Sequence, residues 1–307
     1  MTETSRWTEI KIEVPMGWHE LVADALGQEM CTTVQVGDLQ LPGETNDTGV
    51  EILRSYVLTE WNNPELHKRL ENMLRSIANS ANAPELANLQ VQFADLPSED
   101  YATSWQASWK AFRLRRGERS LRVEPPWTSF PDKDGETKLI LEPGGAFGSG
   151  RHATTRTCMA VALERLKGGE QVLDAGSGSG ILAVVSLLLG AKFAYGFDID
   201  PVATQSAKDL AKTNGVDQQA RFETRGFENL EGESDTYDVV FANIYSDVIV
   251  ANAQRLAAFV RPDGWFAFSG CPHHHVQKTC DAMEAAGLNI LEDRQMGKWH
   301  TFVGKRA

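Results

Sequence analysis

The sequence predicts an α/β protein in which a doubly wound, mostly parallel sheet fills the C-terminal part and a smaller α+β domain precedes it. From about residue 155 onward, short apolar strand segments alternate with helical segments, as they do in βαβ units. A glycine-rich turn at residues 174–180 follows the first strand of that series, where open α/β sheets bind ligands. The 307 residues are enough for two domains of ordinary size.

The first domain is predicted to span residues 1–95 and to be ferredoxin-like. Its first strand alternates apolar and polar side chains, and its helices place apolar side chains at helical spacing. The resulting order, β-α-β-β-α-β, is that of a ferredoxin-like sandwich. The predicted strands are residues 7–14, 32–36, 50–60 and 89–93, and the predicted helices are residues 18–29 and 64–80.

Residues 96–125 are predicted to be a linker that contains an aromatic helix capped by Ser98. Four aromatic side chains would share one face of that helix: Tyr101, Trp105, Trp109 and Phe112. Core or interdomain packing is the favoured interpretation of this face, and substrate contact is the alternative. A basic cluster follows, for which a solvated face or interdomain salt bridges are favoured: Lys110, Arg113, Arg115, Arg116, Arg119 and Arg122.

The second domain is predicted to span residues 126–307. Its strand and helix segments alternate, and the last two strands are predicted to close the domain as a hairpin. The predicted strands are residues 171–174, 193–197, 220–223, 237–242, 265–269, 290–293 and 299–303, and the predicted helices are residues 181–189, 201–214, 248–260 and 280–286.

Charge and composition limit the classes of partner. The net charge is −12, and residues 1–100 carry 17 acidic and 6 basic side chains, so that direct nucleic-acid binding is not expected. An acidic domain suits a basic protein partner, although solubility alone would also explain the acidity. No apolar run is long enough for a bilayer, and the four cysteines form no C-x-x-C pair. We therefore expect a cytoplasmic protein with reduced thiols, no membrane contact and a monomeric state.

The glycine-rich turn runs Asp174-Ala175-Gly176-Ser177-Gly178-Ser179-Gly180. Glycines allow a tight turn and a close approach of the backbone to a ligand. The spacing is G-x-G-x-G, and Ile181 stands where a dinucleotide-binding turn needs a small residue, which disfavours a nicotinamide dehydrogenase. The turn is instead similar to that of class I methyltransferases, which bind S-adenosyl-L-methionine in a Rossmann-like domain.

Two aspartates follow the next strand and are predicted to have different roles. The carboxylate of Asp198 can accept hydrogen bonds from both ribose hydroxyls of an adenosyl group. Asp200 precedes Pro201, which is the pattern of a helix N-cap followed by proline at the first helical position. We therefore assign Asp198 to the cofactor and Asp200 to the helix cap.

Two further segments carry a family resemblance: Leu141-Glu142-Pro143-Gly144-Gly145-Ala146-Phe147-Gly148-Ser149-Gly150-Arg151-His152-Ala153-Thr154-Thr155 and Ala242-Asn243-Ile244-Tyr245. With the glycine-rich turn, they resemble the bacterial ribosomal protein L11 methyltransferase family, PrmA. The resemblance extends to Ser108-Trp109-Lys110, Gly117-Glu118-Arg119, Ser269-Gly270 and Lys298-Trp299. The chain departs from the family pattern at residues 273–275, which are three histidines, and at Ile244-Tyr245 and between Phe112 and Gly117.

The resemblance implies an S-adenosylmethionine-dependent enzyme that methylates lysine and N-terminal amines of a basic ribosomal protein held by its first domain. Asn243 and the backbone carbonyl of Ile244 are the candidate catalytic groups, because both can accept hydrogen bonds from an amine and aim its lone pair. The candidate cofactor-binding residues are Phe147, Thr154, Asp174, Gly176, Gly178, Gly180, Asp198 and Asn243. Gly226 and Phe227 are weaker candidates for the adenine, and helix capping is the alternative role for Thr154 and Thr155.

Three alternatives stay open at this point. The histidine loop leaves room for another protein or a small amine as the substrate. A binding module without catalysis is a different class, which the presence of Gly176, Asp198 and Asn243 disfavours. A metal site at His273, His274 and His275 is also disfavoured, because consecutive side chains point in different directions.

Overall fold

The computed structural model describes residues 7–15, 18–30, 35–36, 50–81, 83–96, 111–128, 130–131, 133–142, 150–229 and 236–306. The chain divides into two compact units, residues 1–109 and 110–307. The aromatic helix predicted from Ser98 lies almost entirely outside the described residues, and the predicted domain boundaries at residues 95 and 125 stay a prediction. None of the helices in the described ranges combines the length and apolar character that a membrane-spanning helix needs.

The first unit has the predicted order of elements: β1 (Trp7–Pro15), α1 (His19–Met30), β2 (Gln35–Val36), β3 (Val50–Leu58), α2 (Pro64–Ser80) and β4 (Val91–Leu96). Its four-stranded antiparallel sheet has the order β2-β3-β1-β4. This order supports the ferredoxin-like prediction in part, since β2 is described over two residues only.

The core of the first unit lies between this sheet and its helices. Alternation in β1 places Ile10, Ile12 and Val14 on the buried side, as the sequence predicts. Helix α2 begins where the side chain of Asn63 accepts hydrogen bonds from the first helical N–H groups, with Pro64 at the first position. Its apolar stripe, Leu66, Leu70, Met73, Leu74 and Ile77, belongs to the same buried cluster.

The second unit contains a seven-stranded sheet in which parallel strands alternate with helices. The strands are β8 (Gln171–Ala175), β9 (Phe193–Asp198), β10 (Ala220–Thr224), β11 (Tyr237–Asn243), β12 (Val260–Pro272), β13 (Leu288–Met296) and β14 (Trp299–Arg306). The helices are α3 (Ala153–Arg165), α4 (Ile181–Leu188), α5 (Pro201–Thr213), α6 (Ser246–Phe259) and α7 (Val276–Ala285).

The sheet order is β10-β9-β8-β11-β12-β14-β13. Strands β8 to β12 are parallel, and β14 runs antiparallel between β12 and β13. The doubly wound Rossmann-like prediction is therefore confirmed, and so is the closing hairpin. The antiparallel β14 departs from the strand order of dinucleotide-binding sheets, which agrees with the exclusion based on Ile181.

A second, three-stranded sheet was not predicted. Strands β5 (Phe112–Arg116), β6 (Arg119–Glu124) and β7 (Glu136–Ile140) lie in the order β5-β6-β7, with β5–β6 antiparallel and β6–β7 parallel. Residues 112–124, assigned to the linker from the sequence, thus form a hairpin within the second unit. The many charges hid these strands, because only a few apolar side chains, such as Leu114, Leu121 and Val123, are buried in them and arginines lie between these residues.

Ion pairs and a backbone hydrogen bond within the second unit involve four arginines of the basic cluster, namely Arg113, Arg116, Arg119 and Arg122. Arg122 is buried and lies 2.9 Å from Glu124 and 2.7 Å from Glu136, and Arg113 also pairs with Glu136. The pKa of Glu136 is lowered, chiefly by the hydrogen bond from Arg113. Outside this group, Arg116 pairs with Glu164 in α3 at 2.6 Å, and Arg119 donates to the carbonyl oxygen of Leu166 at 2.5 Å. These arginines therefore stabilise the second unit itself.

Candidate active site

The candidate site lies at the topological switch point of the sheet, between the neighbouring strands β8 and β11. Strand β8 is followed by β9 and β10 on one side, whereas β11 and β12 lie on its other side. The loops after β8 and β11 therefore diverge to opposite faces and leave a crevice at their carboxyl ends, which is the general ligand site of open α/β sheets. The glycine-rich turn follows β8, and Asn243 ends β11.

Positive φ angles shape the glycine-rich turn. Gly176, Gly178 and Gly180 have φ of 71°, 51° and 75°, which strongly favours glycine. The N–H groups of Gly176 and Ser177 both donate to the carbonyl oxygen of Phe197 at 2.9 Å, so that β9 anchors the turn. A side chain at 176 would overlap Ile244, and one at 180 would overlap Ala207 of α5. The first glycine therefore allows the acceptor loop to approach, and the third allows a helix to pack.

Asp198 is the last residue of β9, and Asp200 follows the strand. The structure confirms the helix-capping role that the sequence predicts for Asp200. The Asp200 side chain accepts the N–H of Val202 at 2.8 Å and caps α5. Asp198 is half-buried, and its Oδ2 accepts the N–H of Gly178 at 2.8 Å while its Oδ1 accepts the N–H of Asp200 at 3.0 Å. This carboxylate therefore also fixes the glycine-rich turn against the end of β9.

Asp174 is buried beneath the turn and accepts the N–H of Ala183 at 3.1 Å. Burial raises the pKa of this carboxyl to about 8, with the charge of Asp198 acting in the same direction against the Ala183 hydrogen bond. The side chain is thus held as a neutral acid over most of the range below pH 8. In that form it can donate one hydrogen bond as well as accept others.

A hydrogen bond between Asn243 and Thr155 connects α3 to the acceptor side of the crevice, meaning the loop after β11 where the methyl acceptor is predicted to bind. The side-chain amide Nδ2 of Asn243 donates to Oγ1 of the fully buried Thr155 at 3.1 Å. Its Oδ1 accepts no hydrogen bond within the described part of the chain. The N–H of Ile244 donates to the carbonyl oxygen of Ser269 at 3.2 Å. A Cβ at Gly270, where φ is 91°, would overlap the carbonyl oxygen of Ile244, so that only glycine leaves this oxygen uncovered.

Thr154 occupies the first turn of α3 and contacts His152, which precedes the helix. Nδ1 of His152 lies 2.7 Å from the hydroxyl of Thr154 and also accepts the backbone N–H of Thr154, and His152 is therefore the N-cap of α3. The alternative that Thr154 or Thr155 caps the helix is wrong, because both lie inside it. The His152 ring packs edge-on against Trp299, with ring centroids 5.3 Å apart.

The residues present fit an adenosyl cofactor. Oγ of Ser177, in the middle of the turn, is buried and has no hydrogen-bond partner among the residues that the structure describes, and the same is true of Nε1 of Trp299. Such groups are costly to leave unpaired, and a polar ligand in the crevice would satisfy them. Ile199, between the two aspartates, is 80% exposed and offers an apolar surface beside the Asp198 carboxylate.

Sequence reasoning missed several features of the candidate site. Ser177, Ile199 and Trp299 were not assigned, although Ile199 could have been found as an apolar residue between two acids, and the hydrogen bond of Thr155 with Asn243 was not predicted. Phe147, predicted to contact the cofactor, lies outside the described residues. Beyond β10, Phe227 packs edge-on against Phe197 at 5.1 Å, which places it behind the strand that carries Asp198.

The histidines after β12 do not converge. Residues 273–275 form a single turn of 3₁₀-helix, so that their side chains point in different directions. Among the described residues, no three His, Cys, Asp or Glu side chains are grouped in a way that could hold a metal ion. His275 contacts Ser246 at 2.8 Å, whereas His273 contacts His300 at 3.0 Å.

Comparison with known proteins decides the family. A family model described as ribosomal protein L11 methyltransferase (PrmA) matches residues 6–307. The chain belongs to this family. The ribosomal protein L11 methyltransferase of Geobacter metallireducens is 33% identical over 298 residues, covering 95% of this chain and 96% of that protein. The protein of the same name from Syntrophotalea carbinolica is 33% identical over 300 residues, covering 95% and 96%.

A solved structure agrees with the PrmA assignment. The crystal structure of ribosomal protein L11 methylase from Lactobacillus delbrueckii subsp. bulgaricus has a TM-score of 0.54 and 27% identity. The match covers 61% of this chain and 94% of that one. The resemblance inferred from the glycine-rich turn and its companion segments is therefore confirmed. This PrmA family member is an α/β enzyme with a Rossmann-like class I methyltransferase domain.

Proposed function

We propose that this PrmA family member transfers methyl groups from S-adenosyl-L-methionine to lysine or N-terminal amines of ribosomal protein L11. The observation that carries the proposal is the Asn243–Thr155 hydrogen bond, which fixes an amide group directly beside the glycine-rich turn. Relatives that match nearly the whole chain bear the name ribosomal protein L11 methyltransferase. Their names support the substrate.

The proposed cofactor site combines the glycine-rich turn with Asp198 and Ile199. Asp198 would accept the ribose hydroxyls, Ile199 would cover the adenine, and the backbone of residues 176–178 would lie against the remainder. Thr154 and the neutral acid Asp174 line the same end of β8 and α3. When bound, S-adenosyl-L-methionine supplies a methyl group that is already electrophilic because it is carried by a sulfonium.

The chain's main task is to position the amine. With its Nδ2 held by Thr155, Asn243 keeps its Oδ1 as an acceptor, and the carbonyl oxygen of Ile244 beside Gly270 is a second one. Two acceptors can hold both N–H bonds of a neutral amine and direct its lone pair at the methyl group. Well-oriented reactants can lower a barrier by about 7–11 kcal/mol, so that positioning of this kind is a large effect.

The charge of the first domain favours a basic protein substrate. Its net balance over residues 1–100 is −11, from 17 acidic and 6 basic side chains. Complementary charge accelerates the encounter of two proteins and disfavours wrong partners. We therefore assign substrate recognition to this domain, without direct nucleic-acid contact.

The decisive experiment measures methyl transfer from radiolabelled S-adenosyl-L-methionine to purified ribosomal protein L11. The wild-type chain should label the protein, and Asn243→Ala should label it at least about 10²-fold more slowly while it still binds the cofactor in calorimetry. Asn289→Ala, a change at an exposed asparagine on β13, is the matched control and should behave as the wild type. Equal activity of Asn243→Ala and the wild type would remove Asn243 from the acceptor site.

The residues around Asn243 favour a second class of substrate. Tyr245 is 71% exposed beside Asn243, and the histidine loop lies next to it through the Ser246–His275 contact. These residues depart from the family pattern, so that another protein or a small amine is the alternative substrate. Label appearing in a different component of a cell lysate, and none in ribosomal protein L11, would favour this alternative.

A further inference from the structure

We propose that His275 is a positioning residue for methyl transfer, which holds the acceptor loop, residues 243–246, through Ser246. The inference rests on the proposed function, because it presumes that Asn243 and the carbonyl oxygen of Ile244 bind the substrate amine. The histidine turn, residues 273–275, departs from the family pattern, and the proposed function gives it no role. The third histidine of this turn supports the groups that direct the amine lone pair.

The acceptor loop crosses the edge of the sheet from one face to the other. Ala242, the residue before it, belongs to the buried cluster that includes Ile249 of α6. Successive side chains of a strand point to opposite faces, and Asn243 accordingly contacts Thr155 of α3 on the other face. The chain then enters α6 at Ser246. The loop therefore has one attachment on the α3 face and needs another on the α6 face.

The contact between Ser246 and His275 is the attachment on the α6 face. Oγ of Ser246 lies 2.8 Å from Nδ1 of His275. Ser246 is only 3% exposed and His275 is half-buried, so that water does not readily replace this hydrogen bond. The side chain of Tyr245, by contrast, is 71% exposed and makes no hydrogen bond within the described ranges. It therefore does not hold the loop.

The order of the sheet brings these two residues together. Strands β11 and β12 are parallel neighbours. Ser246 follows the end of β11 at Asn243 by three residues, and His275 follows the end of β12 at Pro272 by three residues. Both residues therefore leave the sheet side by side, at the same edge that carries the crevice.

The histidine turn is itself fixed to the second unit, as a support must be. The backbone N–H of His273 donates to the carbonyl oxygen of Lys298 at 2.9 Å. The carbonyl oxygen of His275 accepts a hydrogen bond of 2.9 Å from the hydroxyl of Thr279, which is buried in α7. His275 also stands directly before the first residue of α7. Its side chain thus projects from a backbone that is held on both sides.

The packing of Ile244 makes a small displacement of the loop consequential. A Cβ at Gly176 would overlap the Ile244 side chain, and one at Gly270 would overlap the Ile244 carbonyl oxygen. The N–H of Ile244 donates to the carbonyl oxygen of Ser269 at 3.2 Å. Ile244 thus lies between the glycine-rich turn and β12 with little space on either side. Because a misplacement of about 1 Å can lower a rate about 10²-fold, a shift at Ser246 would affect the groups that hold the amine.

The other polar groups near His275 do not replace this attachment. Asp247 and Lys278 form an ion pair of 2.9 Å that also joins the first turns of α6 and α7, but their side chains are 65% and 62% exposed. Exposed ion pairs contribute little to the stability of a contact. His274 is exposed, and its ring meets the ring of His275 edge-on with centroids 4.3 Å apart. Among these contacts, only the one with Ser246 is shielded from water.

The hydrogen bond between Ser246 and His275 does not require one charge state of the ring. A neutral imidazole either accepts the serine hydroxyl at Nδ1 or donates from it, and an imidazolium donates from it. A positioning role therefore predicts the same ratio of wild-type to variant kcat throughout pH 7–9. A histidine that acted as a general base would instead give a ratio that changes with pH.

The test is a double-mutant cycle in the full-length chain. His275→Ala and Ser246→Ala each remove one partner, and the combined variant removes both. His275→Asn is the conservative variant, because its amide places a polar atom two bonds from Cβ, as Nδ1 is. Lys278→Ala is the matched control, since it removes an exposed link between the same two helices. The measured quantities are kcat and KM with ribosomal protein L11, the affinity for S-adenosyl-L-methionine in calorimetry, and unfolding by denaturant.

We expect His275→Ala and Ser246→Ala each to lower kcat about fivefold, which is the effect of one hydrogen bond expressed as a rate. The combined variant should lose about the same factor, because the two residues act through one bond. His275→Asn should recover most of the loss, and Lys278→Ala should stay within about twofold of the wild type. Cofactor affinity and KM should not change. A role in stability alone would lower the unfolding free energy and leave kcat of the folded enzyme unchanged.

The outcomes separate this role of His275 from the proposed function. If the wild type labels ribosomal protein L11 and His275→Ala has the same kcat, the positioning role is overturned and the function stands. Losses that multiply in the combined variant, or that His275→Asn does not recover, also overturn it. If the wild type labels a different amine, the substrate proposal fails and the same cycle with that amine decides the role of His275. If the wild type binds the cofactor but labels no amine, both proposals fail.

Discussion

Asn243 and Thr155 lie 88 residues apart in the chain and are joined by a hydrogen bond of 3.1 Å from amide Nδ2 to hydroxyl Oγ1. Thr155 is fully buried in α3, so that the bond is shielded from water. The bond fixes which end of the Asn243 amide faces the crevice. The first prediction concerns this orientation.

Thr155→Val keeps the shape of the side chain and removes the oxygen that accepts the Asn243 hydrogen bond. We expect kcat to fall about fivefold with unchanged cofactor affinity, since one hydrogen bond contributes about 1 kcal/mol and about 1.36 kcal/mol is a factor of ten in rate. Thr157→Val is the control, because that hydroxyl donates only to the carbonyl of Ala153 within the same helix. The orientation role is refuted if both variants show the same kcat.

Asp198→Asn should weaken the binding of S-adenosyl-L-methionine by about 10–100-fold in calorimetry. The expected loss corresponds to about 1.5–3 kcal/mol for hydrogen bonds to a charged group. It includes the strain of placing an amide where the carboxylate accepts the N–H groups of Gly178 and Asp200. Asp200→Asn, two residues away, should bind as the wild type, because asparagine caps helices as well as aspartate does. Equal affinities of the two variants would contradict the assignment of Asp198.

Gly270→Ala should abolish methyl transfer, because its Cβ would overlap the backbone carbonyl of Ile244 and no rotamer change can relieve this. Gly287→Ala is a close control: φ is 82° there against 91° at Gly270, but no atom lies within 4 Å of the added Cβ. The control should lose about 1–2 kcal/mol of unfolding free energy through its backbone conformation alone and keep its activity. An active Gly270→Ala enzyme would show that the Ile244 carbonyl is not needed.

Asp174 should make the cofactor-free protein less stable as the pH rises. Its pKa rises from 3.8 to about 8 on folding, so that between these values the folded chain binds the proton and the unfolded chain does not. The contribution of Asp174 to stability is therefore fully present below pH 3.8 and is lost progressively as the pH rises through 8.

Denaturant unfolding at several pH values between 4 and 8 tests this sign. Asp174→Asn cannot ionise, and its unfolding free energy relative to the wild type should therefore increase with pH. Asp217→Asn, a change at an exposed carboxylate, should follow the wild type at each pH. A difference between Asp174→Asn and the wild type that stays constant with pH would show that Asp174 has an ordinary pKa in the folded chain.

The sequence by itself determined the features that depend on residues close together along the chain. Alternation gave β1, helical spacing gave α2 with its observed bounds, and Asp200-Pro201 gave the start of α5. The glycine-rich turn was found for the same reason, because its backbone conformation is imposed by the residues within it. Together with the companion segments, this was enough to identify the family.

Only the tertiary structure decided which distant side chains meet. The hydrogen bond between Thr155 and Asn243 could be found only from the fold, and the arginines of β5 and β6 were assigned to internal ion pairs only by the fold. Ser246 and His275 meet because they follow the neighbouring parallel strands β11 and β12 in one particular register. Sheet order and register arise from the packing of the whole domain, whereas periodicity and turn chemistry act over a few residues, and the acceptor side of the site therefore could not be read from the chain alone.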